Sequence, residues 1–264
     1  MKRDGHIHTP YCPHGTTDLL TQYIEKAIAE NFTDITFTEH APLPKSFIDP
    51  TPKKDSGMNP DYLMPYFNEL KQLQKKYEQD IHIRIGLEVD YIAGFEKETT
   101  IFLNQYGQFL DDAILSVHFL KWQDTYVCID YSPETFLAFA EKIGSVEDVY
   151  NLYYNTVLQS IHANLGQYKP KRIGHPSLVH KFQLAHNETI DDTVRIQQVL
   201  AEMKEYGYEL DLNSAGLSKT FCKEPYPPFS LIDYAKSIHL PYVFGSDAHS
   251  VVDLHQHYNV IFTK

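Results

Sequence analysis

Seven of the fourteen histidines in this chain stand at or just beyond the end of an apolar, strand-like run. His6 and His8 end the first run, in DGHIHT, and His14 lies on the Pro/Gly loop that follows. His40 follows ITFTE, His118 follows AILSV, and His175 follows KRIG. His249 follows YVFGSDA, with Asp247 two residues before it, and Glu88 ends IHIRIGLE. A spacing of two in a strand turns both side chains to one face. If these runs are parallel strands of a barrel, their C-terminal ends converge on one mouth. Nine metal-capable side chains would then face one another there.

The donor types narrow the metal. Imidazole and carboxylate without thiolate suit Zn, Mn or Fe, and disfavour iron–sulfur clusters. Nine donors exceed what one ion needs, so two or three divalent ions are expected. Glu88 is the natural bridge, because a carboxylate can span two ions. Closely spaced ions lower the pKa of a water and clamp a phosphoryl oxygen. Glu88, Asp247 and His249 are the candidates for the catalytic centre itself. Other residues receive a structural reading. His82, His162, His186, His239, His255 and His257 are read as surface or structural, Cys12 as having no role, and Arg172 as facing solvent. Lys53 and Lys54 are read as solvated charge, and Phe47 as shaping a substrate pocket.

The elements that must position these residues alternate along the chain. Apolar runs lie near 4–8, 33–38, 81–88, 113–117, 171–174, 208–213 and 241–246. Helical spacing appears at 17–30, 60–78, 96–109, 145–168, 188–206 and 229–238. Asn59-Pro60 reads as a cap followed by proline at the first helical position. Strands alternating with helices imply parallel βα units. Seven of them predict a closed or nearly closed α/β barrel, with an open doubly wound sheet as the alternative. Residues 41–60 carry five prolines and no helical period, so they predict a long loop over the mouth. Residues 119–132 predict a second excursion. No repeat or interdomain linker is visible, and a single domain over 1–264 is expected.

Composition sets outer bounds. Of the 264 residues, 42% are hydrophobic, enough for a large core. A net charge of −12 disfavours a nucleic-acid partner held by broad electrostatics, although bound metals can still attract an anionic substrate. Cys12, Cys128 and Cys222 form no CxxC pair, so no disulfide framework is expected. No apolar run approaches the ~18 residues of a membrane span, and no secretory signal is seen. A cytoplasmic protein is expected; the sequence leaves the oligomeric state open.

HIHTPYCPHG, FTEHAPLP, IGLEVDYI, SVHF, IGHPSLVHKF, LDLNSAGLSK and GSDAH together resemble the polymerase-and-histidinol-phosphatase (PHP) family, in particular its bacterial histidinol-phosphatase branch. The resemblance runs nearly end to end. It implies a distorted, TIM-like (β/α)7 barrel with a trinuclear metal site at the strand C-termini. His6, His8, Glu88 and Asp247 would hold the first ion, His14, His40 and His249 the second, and Glu88, His118 and His175 the third. The implied activity is hydrolysis of L-histidinol phosphate to histidinol and phosphate, in histidine biosynthesis. In that branch an arginine often follows the Gly-His motif, where this chain has His180. A second often follows NxxGL, where this chain has Ser218 and Lys219. His180 and Lys219 are therefore the expected phosphate contacts, as single-point donors. His180 is also a candidate acid for the leaving alkoxide.

Three rivals remain at this stage. A PHP-type phosphoesterase acting on another small phosphomonoester, a nucleotide or a nucleic acid could use the same metal set, but a nuclease would need a basic groove. A barrel amidohydrolase also starts with His-x-His, yet leaves His14 and His40 unexplained. A non-catalytic metal-binding protein would show closed coordination.

Overall fold

In a computed structural model, which describes residues 2–263, the seven apolar runs become seven parallel strands of one sheet. They are β1 (Arg3–Ile7), β2 (Asp34–His40), β3 (His82–Asp90), β4 (Asp112–Ser116), β7 (Arg172–Ile173), β8 (Glu209–Asn213) and β9 (Tyr242–Gly245), hydrogen-bonded in that order. The excursion after β4 is an antiparallel hairpin, β5 (Phe119–Trp122) and β6 (Thr125–Cys128). Between the strands lie α1 (Leu20–Ala29), α2 (Leu63–Lys76), α3 (Glu96–Tyr106), α4 (Pro133–Ile143), α5 (Val146–His162), α6 (Thr193–Glu205) and α7 (Phe229–Ser237). A short α8 (Tyr258–Phe262) follows the last strand. β2 and β3 are buried almost throughout, as parallel strands covered on both faces must be.

The barrel closes at its mouth rather than along its length. Among the described residues no ladder joins β9 to β1, and a single parallel bridge pairs Ile7 with Ala248. Beside it the His8 N–H donates to the Ala248 carbonyl at 2.9 Å, and the Asp247 N–H to the His6 carbonyl at 2.8 Å. The seam thus joins the segment carrying His6 and His8 to the segment carrying Asp247 and His249.

The opposite end is a floor of charge. Arg172, expected to face solvent, is fully buried and pairs with Asp112. Arg3 meets the same carboxylate at 2.5 Å, and Arg84 meets Asp34 at 2.8 Å. A Cβ on Gly5 would come within 2.1 Å of the Arg172 guanidinium, so only glycine lets that side chain cross the floor.

Two helices that share one crossover explain another departure. The chain reads as one helix from 145, but α4 precedes it. Ser132 caps α4 by accepting from the Thr135 N–H, with Pro133 at the first turn. Gly144, at φ 138°, breaks the run, and Ser145 caps α5 from its side chain to Asp148 N–H. The 41–60 loop does lie over the mouth. Phe47 pins it by packing on Phe95, Phe119 and Tyr126, with ring centroids 5.0–5.2 Å apart. That packing makes Phe47 an anchor of the loop, in a small satellite core. Lys53, read as solvated charge, is exposed, at the edge of the mouth cavity.

Candidate metal centre

Glu88 is the hub. The β2–β3 register sets it beside His40. Its Oε1 lies 2.9 Å from His175 Nε2 and 3.7 Å from His118 Nε2. Its Oε2 lies 3.1 Å from His40 Nδ1 and 3.5 Å from the Nε2 atoms of both His6 and His8. One oxygen therefore looks toward one set of imidazoles and the other toward a second set. Asp247 Oδ1 joins the latter, 3.2 Å from His8 Nε2 and 3.7 Å from His6 Nε2. His249 stacks on His8 with centroids 4.0 Å apart. Asp247 and His175 both sit at positive φ, 52° and 23°. Holding such conformations costs about 1–3 kcal/mol each, and here they aim side chains inward.

A further row of buried carboxylates backs these rings. Asp211 meets His6 Nδ1 at 2.8 Å, Glu39 meets His8 Nδ1 at 3.3 Å, and Asp90 meets His118 Nδ1 at 2.8 Å. Each carboxylate draws the ring proton to Nδ1, which leaves the Nε2 lone pair pointing at the centre. His6 Nε2 and His8 Nε2 are then two acceptors only 3.3 Å apart. Such lone pairs repel unless a cation lies between them. The donors thus fit divalent ions on geometry as well as on type. They form three groups: His6, His8 and Asp247; Glu88, His118 and His175; and His8, Cys12, His40 and His249.

The proton affinities tell the same story. Burial opposes charge on His6, yet Asp211, Asp247 and Glu88 outweigh it and hold its pKa at about 10. Burial likewise loses to Asp90 and Glu88 at His118, whose pKa is also pushed up to about 10. Burial pushes the Glu88 pKa up, but His6, His118 and His40 keep it well below the carboxylate range. His249 goes the other way, depressed by burial and by His8. The mouth is a site that recruits positive charge.

Of the residues the sequence singles out, His6, His8, His40, Glu88, His118, His175, Asp247 and His249 converge in this way. His14 stands at the rim, 42% exposed, with Nε2 3.4 Å from Asp55 and its ring 6.0 Å from His40. Cys12, read as near the mouth and without a role, is buried beside His8, His40 and His249. His180 departs from expectation. It is buried in a short 3-10 turn, and its Nε2 and Nδ1 bond Asp192 and Glu224 at 2.7 and 2.6 Å. With both nitrogens taken and Tyr150 stacked on the ring, it is outside the cavity lining. Its neighbour Lys181 faces the cavity, 2.8 Å from Asp130, and exposed Lys219 lies at the rim. Sequence reasoning missed Glu39, Asp90, Asp211, Asp130 and Lys181. Asp90 lies two residues past Glu88 on the same strand face, a spacing of the kind that flagged His6 and His8.

The mouth cavity, about 510 Å³, is lined by these donors, by Thr51, Lys53, Asp55 and Ser56 of the covering loop, and by Asp130 and Lys181. Among the described residues, no helix is long and apolar enough to cross a membrane.

Residues 4–215 match the PHP domain, and the chain belongs to the PHP family. Within that family, its sequence is 48% identical to the histidinol-phosphatase of Bacillus subtilis over 266 aligned residues, covering 100% of this chain and 99% of that protein. A probable histidinol-phosphatase of Deinococcus radiodurans is 30% identical, with 93% and 85% covered. A crystal structure from Listeria monocytogenes, provisionally assigned as a histidinol phosphatase, superposes with a TM-score of 0.93 at 40% identity, covering 98% and 99% of the two chains. A Lactococcus lactis histidinol phosphate phosphatase, crystallised with zinc, L-histidinol and phosphate, shares the fold at a TM-score of 0.71 and 22% identity, with 99% and 93% covered.

Proposed function

We propose that this protein is a metal-dependent phosphatase that hydrolyses L-histidinol phosphate to L-histidinol and phosphate. The observation that carries the reading is the two-sided Glu88 carboxylate, set among imidazoles whose outer nitrogens are held by carboxylates. The 48% identity to the Bacillus subtilis histidinol-phosphatase, along the whole of this chain, supports the choice of substrate. His6, His8, Glu88 and Asp247 would hold one ion, His40 and His249 with His14 a second, and Glu88, His118 and His175 a third. Bound there, divalent ions supply Lewis acidity and a water of lowered pKa.

The chain's own residues do the rest. Asp211, Glu39 and Asp90 fix the ring orientations, so the donors need no rearrangement during turnover. Lys181 presents an ammonium to the cavity, steadied by Asp130, and draws the phosphate dianion inward. Lys53 and Lys219 add positive charge at the rim. The 51–56 segment narrows the entrance and limits water around the leaving alcohol.

The test is phosphate release from a panel of phosphomonoesters by protein of measured metal content. Histidinol phosphate is expected to turn over with the highest kcat/KM, and chelation is expected to abolish the activity. Clear preference for another ester would overturn the substrate; activity that survives complete metal removal would overturn the chemistry.

A further inference from the structure

The loop over the mouth stands on two feet in the core. One is Phe47 in its satellite cluster. The other is Met58, buried, whose N–H donates to the His40 carbonyl at 3.3 Å. Beside it Gly57 passes so close to Ala41 that a Cβ would stand 2.8 Å from the carbonyl oxygen. Between the feet the tip, 49–56, reads DPTPKKDS and has no apolar side chain to pack with, apart from two exposed prolines. A single carboxylate holds it instead. Asp49 is 8% exposed; its Oδ1 accepts from the Thr51 N–H at 2.8 Å and its Oδ2 from the Ser56 N–H at 3.0 Å. A charged acceptor makes the stronger class of hydrogen bond to a backbone amide. The Thr51 hydroxyl adds a cross-tie, accepting from the Lys54 N–H at 3.1 Å. Pro50 and Pro52 restrict the other conformations open to the segment. Thr51 and Ser56, the two residues whose amides Asp49 holds, both line the mouth cavity, and Asp49 itself does not.

We propose that Asp49 is a positioning residue for substrate selection: it fixes Thr51 and Ser56 as a wall for the alcohol half of the ester. The proposal rests on reading the cavity as the site of a metal-dependent phosphatase. The phosphate belongs with the buried donors and Lys181, so the part that varies between esters extends past the loop tip. A wall selects only if it is rigid. A loosened tip accommodates many alcohols and holds each of them more weakly, because ordering it again opposes binding. Both feet stay anchored without Asp49, so its loss frees the tip locally and leaves the barrel as it was.

The experiment compares metal-loaded wild type with Asp49→Ala and Asp49→Asn. Two inhibitors divide the substrate between them: inorganic phosphate, which has no alcohol half, and L-histidinol, which has no phosphate. In Asp49→Ala, KM for histidinol phosphate and the inhibition constant of L-histidinol are expected to rise about tenfold, the affinity equivalent of one charged hydrogen bond. The kcat, the inhibition constant of inorganic phosphate and the Tm are expected to move far less. Asp49→Asn keeps one carbonyl oxygen and so one of the two amide bonds, and should fall between wild type and alanine. Trypsin cleavage after Lys53 or Lys54 in the folded protein should speed up in the same order, a reading of the tip that involves no substrate. Equal weakening of phosphate and L-histidinol overturns selection by the alcohol half. Unchanged constants, or weakened ones with trypsin cleavage unchanged, overturn the role of Asp49, and Asp49→Asn decides if the alanine variant fails to fold. If the wild type prefers another ester, histidinol phosphate falls as the substrate, and the comparison with that ester and its alcohol still judges Asp49. A wild type that hydrolyses no phosphomonoester overturns both.

Discussion

The two ends of the barrel both bury charge, and they balance it differently. At the floor, Asp34 and Asp112 meet Arg3, Arg84 and Arg172. At the mouth, Glu88 and Asp247, with Glu39, Asp90 and Asp211 behind, meet mainly imidazole. Guanidinium stays charged at any pH a protein meets, and imidazole does not. The floor's carboxylates are matched by fixed cations of the chain itself. The mouth is neutral only when protons or ions arrive, and that difference separates a structural charge cluster from one built for chemistry.

The largest expected effect tests the floor. Arg172→Ala leaves Asp112 less matched and opens space beneath Gly5. Breaking a buried pair from one side costs about 3–5 kcal/mol when the survivor is left alone. Arg3 stays on Asp112, so the lower end, about 3 kcal/mol, is expected here. Urea unfolding should show that loss, with metal content of the folded fraction unchanged. A loss below about 1 kcal/mol, the value of a surface pair, would mean the floor is not a closed balance.

His180 is the intermediate case, a titratable cation used as a fixed one. Asp192, Glu224, Tyr154 and Tyr150 surround it. Burial lowers its pKa, but the bonds to Asp192 and Glu224 overcome this and raise it from 6.5 to about 9. A raised folded-state value means stability fully present below pH 6.5 and lost as pH climbs through 9. The change amounts to about 3 kcal/mol. His180→Gln should be less stable at pH 6 and should flatten that slope, while KM for histidinol phosphate stays as it was. A KM that rises with stability intact would return His180 to the substrate.

The mouth gives the third prediction. Glu88→Gln removes the charge of the carboxylate that looks both ways and should lower kcat roughly 100-fold or more, as misplaced reacting groups do. Turnover and metal content should be measured together. Near-normal kcat with full metal content would refute the hub.

The contrast between the two ends also explains what could be read from the sequence. Parallel strands covered on both faces leave continuous apolar runs, and each mouth donor ends or follows such a run, so strands and donors announce one another. Arg172 carries no such signal, because a charge at the start of a strand looks the same whether the floor is open or sealed. Glu39 is hidden for another reason. Alternation along β2 turns it away from His40, and only the neighbouring strand shows that it reaches His8. Asp211 and Asp90 belong to the ladder of strand carboxylates that composition counts as solubilising charge. The misplacement of His180 is a matter of one residue. The Leu178–Phe182 turn winds tightly, turning His180 into the wall and Lys181 into the cavity.

That one-residue shift carries the smallest and sharpest prediction. Lys181 is half-buried and paired with Asp130, whereas Lys219 is exposed at the rim. A partly desolvated ammonium interacts more strongly with a phosphate than a fully solvated one. Both contacts are remote from the scissile bond, so they bind ground and transition states alike and act on KM more than on kcat. Lys181→Ala should raise KM for histidinol phosphate about tenfold, and Lys219→Ala by less, near the ~1 kcal/mol limit of an exposed pair. Part of the Lys181 effect could come from uncovering Asp130, which would repel the dianion. The double variant Lys181→Ala with Asp130→Asn separates the two. If attraction by Lys181 matters, KM stays high in the double variant, and inorganic phosphate inhibits both variants more weakly than wild type. If KM returns to the wild-type value, Asp130 repulsion was the whole effect, and Lys181 serves only to neutralise a carboxylate. In that case Lys181, like the floor arginines, is spent on a carboxylate, and the lysines at the rim, Lys53 and Lys219, are left to meet the substrate.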